Sequence, residues 1–548
     1  MVAPQIGKSS AYIAADNPIQ ASGDDVLGRT KHAQLFVRQV LSLDSSEGVV
    51  VGVLGPWGSG KTSFINLARE HFKEICVAVL EFNPWMFSGA EQLVEAFFVE
   101  LSAQLKVRKG YANIGILIED YGETFSGLGW LPLLGPWIER GRAAAKIFAR
   151  LLQRRKEGVG ERRSKVYKAL AQLQNPIVVV LDDIDRLSTS EIRDVFKLVR
   201  LTANFPKIIY LLAFDRARVE QALGEQGIPG RDYLEKILQI GIDLPAVPSD
   251  VFNSQIFKAI DASLSKIDNP GPFNENVWPD VFTEIIRPLL RNMRDVRRYA
   301  AAIHGTVCDL NGQAALVDVL ALEAVRIFLP DVFRNIYGAI DGLTNTSNGY
   351  GGTGNSAHYK QQIETLIKSA EGHDTVIRAL IERMFPGGQR HIGGSYYGDE
   401  WKKRWLRDRR VAHEDILRLY FERVTGETLQ AFKDAEQAWK LMADRDAFAA
   451  FLGSLKIERL QDIISSLETY EDQFRPEHAV PAIVVLLNLL PLMPERPRGL
   501  FDPDVSLVVG RVVYRILRVI KDPKAVETAV REILPQLTSL SSKFEIIT

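Results

Sequence analysis

The sequence predicts an α/β fold in which helices cover both faces of a parallel sheet, followed by a large all-α region. Three observations carry this prediction. Short β-branched runs alternate with helical patterns between residues 49 and 247, which is typical of parallel sheets. From residue 248 onward the pattern is almost entirely helical. A glycine-rich stretch directly follows the first strand-like run, and ligand sites of such sheets lie at the carboxyl ends of the strands.

The first strand, loop and helix form the central motif of the chain. The apolar run Val49–Leu54 leads into Gly55-Pro56-Trp57-Gly58-Ser59-Gly60-Lys61-Thr62, which fits G-x-x-x-x-G-K-[ST], and a helical stretch follows from Ser63. Glycines let backbone N–H groups curl around phosphate oxygens, and the helix N-terminus attracts the same anion. The stretch therefore predicts a phosphate-binding loop, because a chance match on a tight turn would lack these flanks.

The predicted nucleotide-binding residues are those of this loop and the turn before it. Lys61 is expected to reach the β- and γ-phosphates of ATP and to assist catalysis, and the Thr62 hydroxyl is expected to ligate Mg²⁺. The loop residues are Gly55, Pro56, Trp57, Gly58, Ser59, Gly60, Lys61, Thr62 and Ser63. Upstream, Gly28 and Arg29 precede a helical stretch that Thr30 could cap. They either wrap the adenine edge or form an ordinary helix turn.

Four further strands are predicted, and polar residues follow them. The runs are Ile75–Phe82, Ile177–Leu181, Lys207–Phe214 and Leu238–Leu244. Asp182 is expected to hold Mg²⁺, and Asp183 to polarise the attacking water as general base. An N-terminal helix cap is the structural alternative for this acidic pair.

The remaining catalytic candidates are less specific. Asp215 follows the fourth strand and is either a γ-phosphate sensor or a turn former. Phosphoryl transfer also benefits from an added cation, for which Arg294 is the first candidate and Arg297 the second. Arg231 and Lys236 could act across a subunit interface, and a surface salt bridge is the alternative for all four.

Composition limits the partners and the compartment. The 548 residues are 46% apolar and carry a net charge of −1, so no global field draws the chain to nucleic acid or membrane. Two cysteines, Cys76 and Cys308, indicate a reducing compartment, here the cytoplasm, and Cys76 is predicted to be buried. The apolar stretch 479–493 is too short to span a membrane, so a membrane role is not expected.

A basic segment interrupts the alternation of strands and helices. Residues 106–166 look like an insertion. Residues 140–168 carry eleven lysines and arginines, opposed only by Glu157 and Glu161 and by Glu139 directly before them. A solvated helix surface is the default interpretation, and docking of a protein, a nucleic acid or anionic lipid is the alternative.

Several motifs in this order resemble the KAP P-loop NTPases, within the wider class that includes AAA+ ATPases. The matching segments are GPWGSGKTS, FNPW, VVVLDDIDRL, LLAFDR, YLEKILQIGIDLP, NMRDVRRYAAAI and RRVAHEDILRLYF. The resemblance implies an ASCE/AAA+-like P-loop NTPase fold and assigns Asp185 and Arg186 to the shaping of the site. Many KAP proteins carry membrane-spanning helices in the insertion, whereas this chain has none of spanning length there, which favours the bacterial members that resemble ATPase components of anti-phage systems.

These observations predict five segments and a function. The segments are a leader and adenine-side linker (1–48), the P-loop NTPase core with its insertion (49–247), a lid-like helical subdomain (248–305), a helical region with long glycine-rich loops (306–430) and a C-terminal helical domain (431–548). The expected function is that of a Mg²⁺-dependent ATPase acting as a switch or assembly ATPase with other proteins of a defence complex. A homo-oligomer is compatible with this prediction. The alternatives are an ATPase that engages nucleic acid through residues 140–168 and a small-substrate kinase.

Overall fold

The computed structural model describes residues 17–87, 90–123, 159–202, 204–224, 229–346, 353–494 and 504–547. The chain forms two compact units. The first takes in the chain up to Ala259 together with Asn292–Arg297, and the second consists of Ile260–Arg291 and Arg298–Thr548. The predicted segment boundaries near residues 48, 247, 305 and 430 stay predictions.

The first unit holds the predicted sheet. Its strands are β1 (Val49–Leu54), β2 (Ala78–Phe82), β3 (Ile177–Leu181), β4 (Ile208–Phe214) and β5 (Ile240–Asp243). Its helices are α1 (Thr30–Leu41), α2 (Lys61–Glu74), α3 (Ala90–Lys106), α4 (Ala112–Gly122), α5 (Val159–Ala171), α6 (Thr189–Thr202), α7 (Arg216–Leu223), α8 (Gly230–Leu234) and α9 (Ser249–Leu264), the last of which continues into the second unit.

The five strands are parallel and lie in the order β2-β3-β4-β1-β5. Strand β4 therefore separates β1, which leads into the phosphate loop, from β3, which leads into the two aspartates. Residues on β1 and β4 pair in register from Val49 with Ile209 to Leu54 with Phe214. This arrangement confirms the predicted α/β P-loop NTPase fold, and it brings both loops to the same edge of the sheet.

Alternate residues of each strand pack in two separate hydrophobic cores, because successive side chains point to opposite faces of a sheet. On one face, Val51, Val180 and Leu211 pack with apolar residues of α1 and α2. On the other face, Val179 and Tyr210 pack with residues of α3 to α8. Burial on both faces explains why β1, β3 and β4 are continuous apolar runs.

Three strands are shorter than predicted because turns occupy their ends. Lys207 has a left-handed backbone (φ +59°), so β4 begins one residue later. Cys76 has φ +58° and lies in the turn between α2 and β2. Its side chain is exposed, so the prediction that Cys76 is buried was wrong.

The insertion is helical at both ends. Helices α4 and α5 pack in the same core as α3, and Arg162 on α5 forms an ion pair with Asp120 on α4 at 3.4 Å. Lys165 pairs with Glu161 at 3.0 Å. Residues 140–158 of the predicted basic segment lie outside the described residues, and two of the basic residues within α5 are engaged by acids.

All strands of the described residues lie in the first unit, and the second unit contains helices and the loops that join them. Its α-helices are α10 (Trp278–Val281), α11 (Arg287–Leu289), α12 (Met293–Leu310, whose first residues belong to the first unit), α13 (Leu316–Phe328), α14 (Pro330–Gly338), α15 (Ile340–Thr344), α16 (Thr353–Lys368), α17 (Asp374–Met384), α18 (Glu400–Arg407), α19 (Glu414–Glu422), α20 (Glu427–Leu441), α21 (Arg445–Ser454), α22 (Leu460–Leu467), α23 (Ala479–Leu489), α24 (Val505–Leu517), α25 (Pro523–Ile533) and α26 (Leu540–Ile547). A π-helical turn, Phe282–Ile286, joins α10 to α11. None of the helices in the described part of the chain has the length and apolar character needed to cross a bilayer.

Residues of the motif RRVAHEDILRLYF donate hydrogen bonds to two fully buried carboxylates of this unit. The Arg410 guanidinium donates to both oxygens of Asp318 at 2.8 and 2.9 Å, and the Val411 N–H donates to the same side chain. Burial raises the pKa of the Asp318 carboxyl, and Arg410 opposes the shift. The Tyr420 hydroxyl donates to Glu323 at 2.7 Å. The motif therefore satisfies buried acids of α13, which otherwise would be costly to bury.

Candidate functional site

The phosphate loop has the backbone that its glycines predict. Gly58 (φ +79°) and Gly60 (φ +88°) are left-handed, a conformation that other residues adopt only with strain. A Cβ on Gly58 would lie 2.7 Å from the side-chain nitrogen Nδ2 of Asn292, and a Cβ on Gly55 would lie 2.6 Å from Ser59 Oγ. The loop therefore leaves no room for side chains at these two positions unless Asn292 or Ser59 moves.

Lys61 begins α2 and points back over the loop. Its ammonium group donates to the carbonyl oxygens of Gly55 (3.0 Å) and Pro56 (3.4 Å), and it forms an ion pair with Asp185 at 3.0 Å. The Lys61 and Asp185 side chains are only 9% and 7% exposed. Phosphate oxygens entering the loop would meet a desolvated cation, which strengthens their attraction.

Thr62 and Asp182 meet at the carboxyl edge of the sheet. The Thr62 hydroxyl lies close enough to the Asp182 carboxylate to lower its pKa, although the two residues follow different strands. Burial raises the pKa of the Asp182 carboxyl, while the Thr62 hydroxyl and the hydrogen bond from the Asp183 N–H act in the opposite direction. A hydroxyl and a carboxylate held together are oxygen ligands of the kind that Mg²⁺ prefers.

Asp183 directly follows this carboxylate in a left-handed backbone (φ +59°, ψ +26°). The Arg186 guanidinium donates to Asp183 Oδ1 at 2.8 Å. The Asn83 amide lies 3.4 Å from Asp183 Oδ2. Both oxygens of the predicted general base therefore have donors, and Asp183 is 21% exposed.

Asp215 is engaged at the start of α7. Its carboxylate accepts from the N–H groups of Ala217 (3.0 Å) and Arg218 (3.4 Å), which makes it the helix N-cap. Its own N–H donates to Asp185 at 3.1 Å. Asp185 thus connects Lys61 to the end of β4, a role that no local sequence pattern shows. The sensor role of Asp215 stays a prediction.

Arg29 is a buried cation beside the phosphate loop, and its partners were not predictable from the sequence. Its guanidinium donates to the carbonyl oxygens of Ser59 (2.6 Å) and Pro245 (3.0 Å). Burial lowers its pKa, against the effect of nearby Asp25. Arg29 therefore ties the phosphate loop to the segment after β5. Gly28, which precedes it, is left-handed at φ +70°.

We expect Arg29→Ala to weaken nucleotide binding about tenfold. The substitution leaves two carbonyl oxygens without their charged donor, and such hydrogen bonds contribute about 1.5–3 kcal/mol each. Part of this lost stabilisation concerns the loop that would contact phosphate. Isothermal titration measures the affinity, with Arg38→Ala, a change of an exposed residue on the helix that follows Arg29, as the control. Unchanged affinity in Arg29→Ala would show that the loop holds its shape alone.

The segment from Asn17 to Leu27 lies along α2. The Ile19 N–H donates to the Ser63 hydroxyl at 3.3 Å, and Asn66 donates to the Ile19 carbonyl at 2.8 Å. The Ser63 hydroxyl is thus engaged by the chain itself. Asp25, rather than Thr30, caps α1, because its carboxylate accepts from the Thr30 N–H at 2.7 Å.

The remaining candidate cations fall in two places. Arg294 lies over the Trp57 ring, with its guanidinium carbon 5.9 Å from the ring centroid, and Arg297 donates to the Asn17 carbonyl at 2.9 Å. Arg231 pairs with Glu235 on the surface at 3.0 Å, and Lys236 is exposed. The structure therefore brings Arg294, but not Arg231, into contact with the phosphate loop.

The residues present fit a nucleoside triphosphate with Mg²⁺. The loop has a left-handed backbone at Gly58 and Gly60, and the buried Ser59 hydroxyl is without a hydrogen-bond partner among the described residues. Lys61 is held by carbonyls and Asp185 in positions that phosphate oxygens would compete for. Thr62 and Asp182 offer a hydroxyl and a carboxylate for the metal.

The sheet order and the site define a P-loop NTPase. The chain belongs to the KAP family, because a model of the KAP family P-loop domain matches residues 29–307, about half of the chain. The family assignment made from the sequence motifs is confirmed.

Relatives and solved structures add the following similarities. The chain is 25% identical over 415 residues to the phage T7 exclusion protein of Escherichia coli K12, covering 69% of this chain and 54% of that protein, so it spans about half of the relative's length. Drosophila ORC bound to poly(dA/dT) DNA and Cdc6 aligns with 95% of this chain and 65% of that chain at 11% identity and TM-score 0.29. The Aeropyrum pernix ORC2 protein aligns with 65% and 94% at 12% identity and TM-score 0.26. These two TM-scores are too low to carry an argument.

Proposed function

We propose that this chain is a Mg²⁺-dependent ATPase that acts as a conformational switch or assembly ATPase within a multi-protein complex, in the cytoplasm, as part of bacterial defence against phage. The observation that carries the ATPase part is the meeting of Lys61, Thr62, Asp182 and Asp183 at one edge of the sheet. Family membership supports the same chemistry. The defence role is supported by the relative described as a phage T7 exclusion protein.

Each residue has one task in the proposed reaction. Backbone N–H groups of the loop and the Lys61 ammonium bind and orient the phosphates, which lowers the entropy cost of reaching the in-line geometry. Thr62 and Asp182 would hold Mg²⁺, which neutralises charge on the phosphate oxygens. Asp183 accepts the proton of the attacking water, once its carboxylate is released from Arg186.

The contacts of Asp185 support a switch. Asp185 is bound both to Lys61 and to the Asp215 N–H at the start of α7. Phosphate that takes over Lys61 removes one partner of Asp185, so its hold on β4 and α7 changes. Nucleotide binding in the loop can thus change the contacts of elements outside the loop, as in switches that are ordered by a γ-phosphate.

Phosphate release by the purified protein tests the proposal. We expect hydrolysis of ATP with Mg²⁺ and about background release after chelation by EDTA, because the phosphate charge is then left without its metal. Limited proteolysis with a nonhydrolysable triphosphate or with ADP should give different patterns if the chain is a switch. Absence of both nucleotide binding and hydrolysis would reject the ATPase. Label transferred to a small acceptor would favour the kinase, and salt-dependent nucleic-acid binding would favour the nucleic-acid alternative.

A further inference from the structure

Two half-exposed tryptophans enclose one arginine beside the phosphate loop. Trp57 belongs to the loop, Trp85 belongs to the 3-10 turn Pro84–Met86 after β2, and each is 56% exposed. The guanidinium carbon of Arg186 lies 5.9 Å from the Trp57 ring centroid and 5.6 Å from that of Trp85. A cation over an aromatic face is attracted by the ring quadrupole. The two indoles therefore hold Arg186 in place at a position that solvent still reaches.

The same arginine holds the predicted general base. Arg186 donates through Nε to Asp183 at 2.8 Å, and both side chains are only partly exposed, at 34% and 21%. A carboxylate oxygen that accepts a charge-assisted hydrogen bond from a guanidinium is occupied by that donor and is not available to a water molecule. Asp183 is therefore restrained in this structure.

Asn83 joins these residues into one group. Its side-chain oxygen accepts from the backbone N–H of Trp85 at 3.0 Å, and its side-chain nitrogen lies 3.4 Å from Asp183 Oδ2. We call Trp57, Asn83, Trp85, Asp183 and Arg186 the Arg186 cluster. The cluster links the end of β2, the end of β3 and the phosphate loop.

The position of Arg186 bears on the terminal phosphate. Arg186 contacts Trp57 on the loop that would hold the phosphates and Asp183, the proposed base. In phosphoryl transfer the transferred group lies between these two parts of a site. A guanidinium there offers planar, paired donors that match phosphate oxygens, and a terminal phosphate carries more charge than a carboxylate.

We propose that Arg186 is the residue through which the site distinguishes a nucleoside triphosphate from a diphosphate. The inference rests on the proposed ATPase function and adds a specificity residue to it. A terminal phosphate competes with Asp183 for the guanidinium, and the exchange frees the carboxylate to act on water. A diphosphate has no group in that place, so the Arg186–Asp183 pair persists and the base stays restrained.

The exchange also has an optical consequence. Arg186 contacts both indoles, so its movement toward phosphate changes the surroundings of Trp57 and Trp85. We expect a nonhydrolysable triphosphate to change the intrinsic tryptophan fluorescence of the protein, whereas ADP leaves it near the nucleotide-free value. Trp85→Phe should reduce the change, and Arg186→Ala should abolish it.

Equilibrium titrations of a nonhydrolysable ATP analogue and of ADP, both with Mg²⁺, test the inference. In Arg186→Ala the preference for triphosphate over diphosphate should fall about tenfold or more, while ADP affinity stays within about twofold. Arg186→Gln, which keeps most of the side chain, should show the same fall if the alanine variant does not fold. Arg418→Ala is the matched control, because Arg418 donates through Nε to Glu414 at the same 2.8 Å in the second unit.

The outcomes separate the inference from the function on which it rests. A wild-type protein that binds neither nucleotide removes the ATPase proposal itself. A wild-type protein that binds both, with a variant that keeps the wild-type preference and fluorescence change, overturns the role of Arg186 alone.

Discussion

Lys61→Ala should weaken binding of ATP and ADP by about a thousandfold. The expected loss corresponds to roughly 4 kcal/mol, the attraction between unit charges about 4 Å apart near a protein surface. The Lys61 side chain is 9% exposed, so water cannot replace its charge. Its removal also leaves the buried Asp185 without its cation, and that carboxylate then repels the incoming phosphates.

Isothermal titration measures this effect, and two further variants interpret it. Lys73→Ala removes an exposed lysine from the same helix and should leave the affinity unchanged. Lys61→Ala combined with Asp185→Asn removes the repulsive carboxylate and should recover part of the loss. Nucleotide affinity near wild type in Lys61→Ala would mean that the loop is not the binding site.

Asp183→Asn should keep nucleotide binding and reduce turnover by about 10²–10⁴-fold, the usual contribution of a general base. The amide has almost the same shape as the carboxylate but cannot accept the proton of water. Asparagine also tolerates the left-handed backbone at this position (φ +59°) better than most residues. The substitution should therefore leave the structure of the site intact.

Single-turnover phosphate release and nucleotide titration of the same preparation separate the two effects. Asp182→Asn is the informative comparison. In that variant we expect turnover to be lost and the affinity for nucleotide to depend no longer on Mg²⁺. If Asp183→Asn hydrolyses ATP at the wild-type rate, another group takes the proton, and the assignment of the base is wrong.

The strands and loop that frame the site were predictable because their signals are local. β1 and β3 have the predicted bounds, since runs of β-branched residues buried on both faces have few alternatives. The glycine loop was recognisable because a left-handed backbone restricts the residue type at Gly58 and Gly60. These elements need no knowledge of distant partners.

The contacts that hold the site were not predictable from local patterns. Arg29 reaches Pro245, more than two hundred residues away, and Lys61 meets Asp185 only because β4 lies between β1 and β3. The sequence shows the charge of such residues but not their partners. The prediction that Cys76 is buried was wrong for a related reason. The apolar run that contains Cys76 begins before β2 and includes a turn.

The central claim is that a triphosphate lies in the Gly55–Thr62 loop with its metal between Thr62 and Asp182. A crystal structure with a nonhydrolysable ATP analogue and Mn²⁺, located by its anomalous signal, tests it most directly. We expect Mn²⁺ bound near the Thr62 hydroxyl and the Asp182 carboxylate, with Lys61 moved from Asp185 to the phosphates. Nucleotide density elsewhere in the protein, or a metal peak away from both residues, would contradict the account.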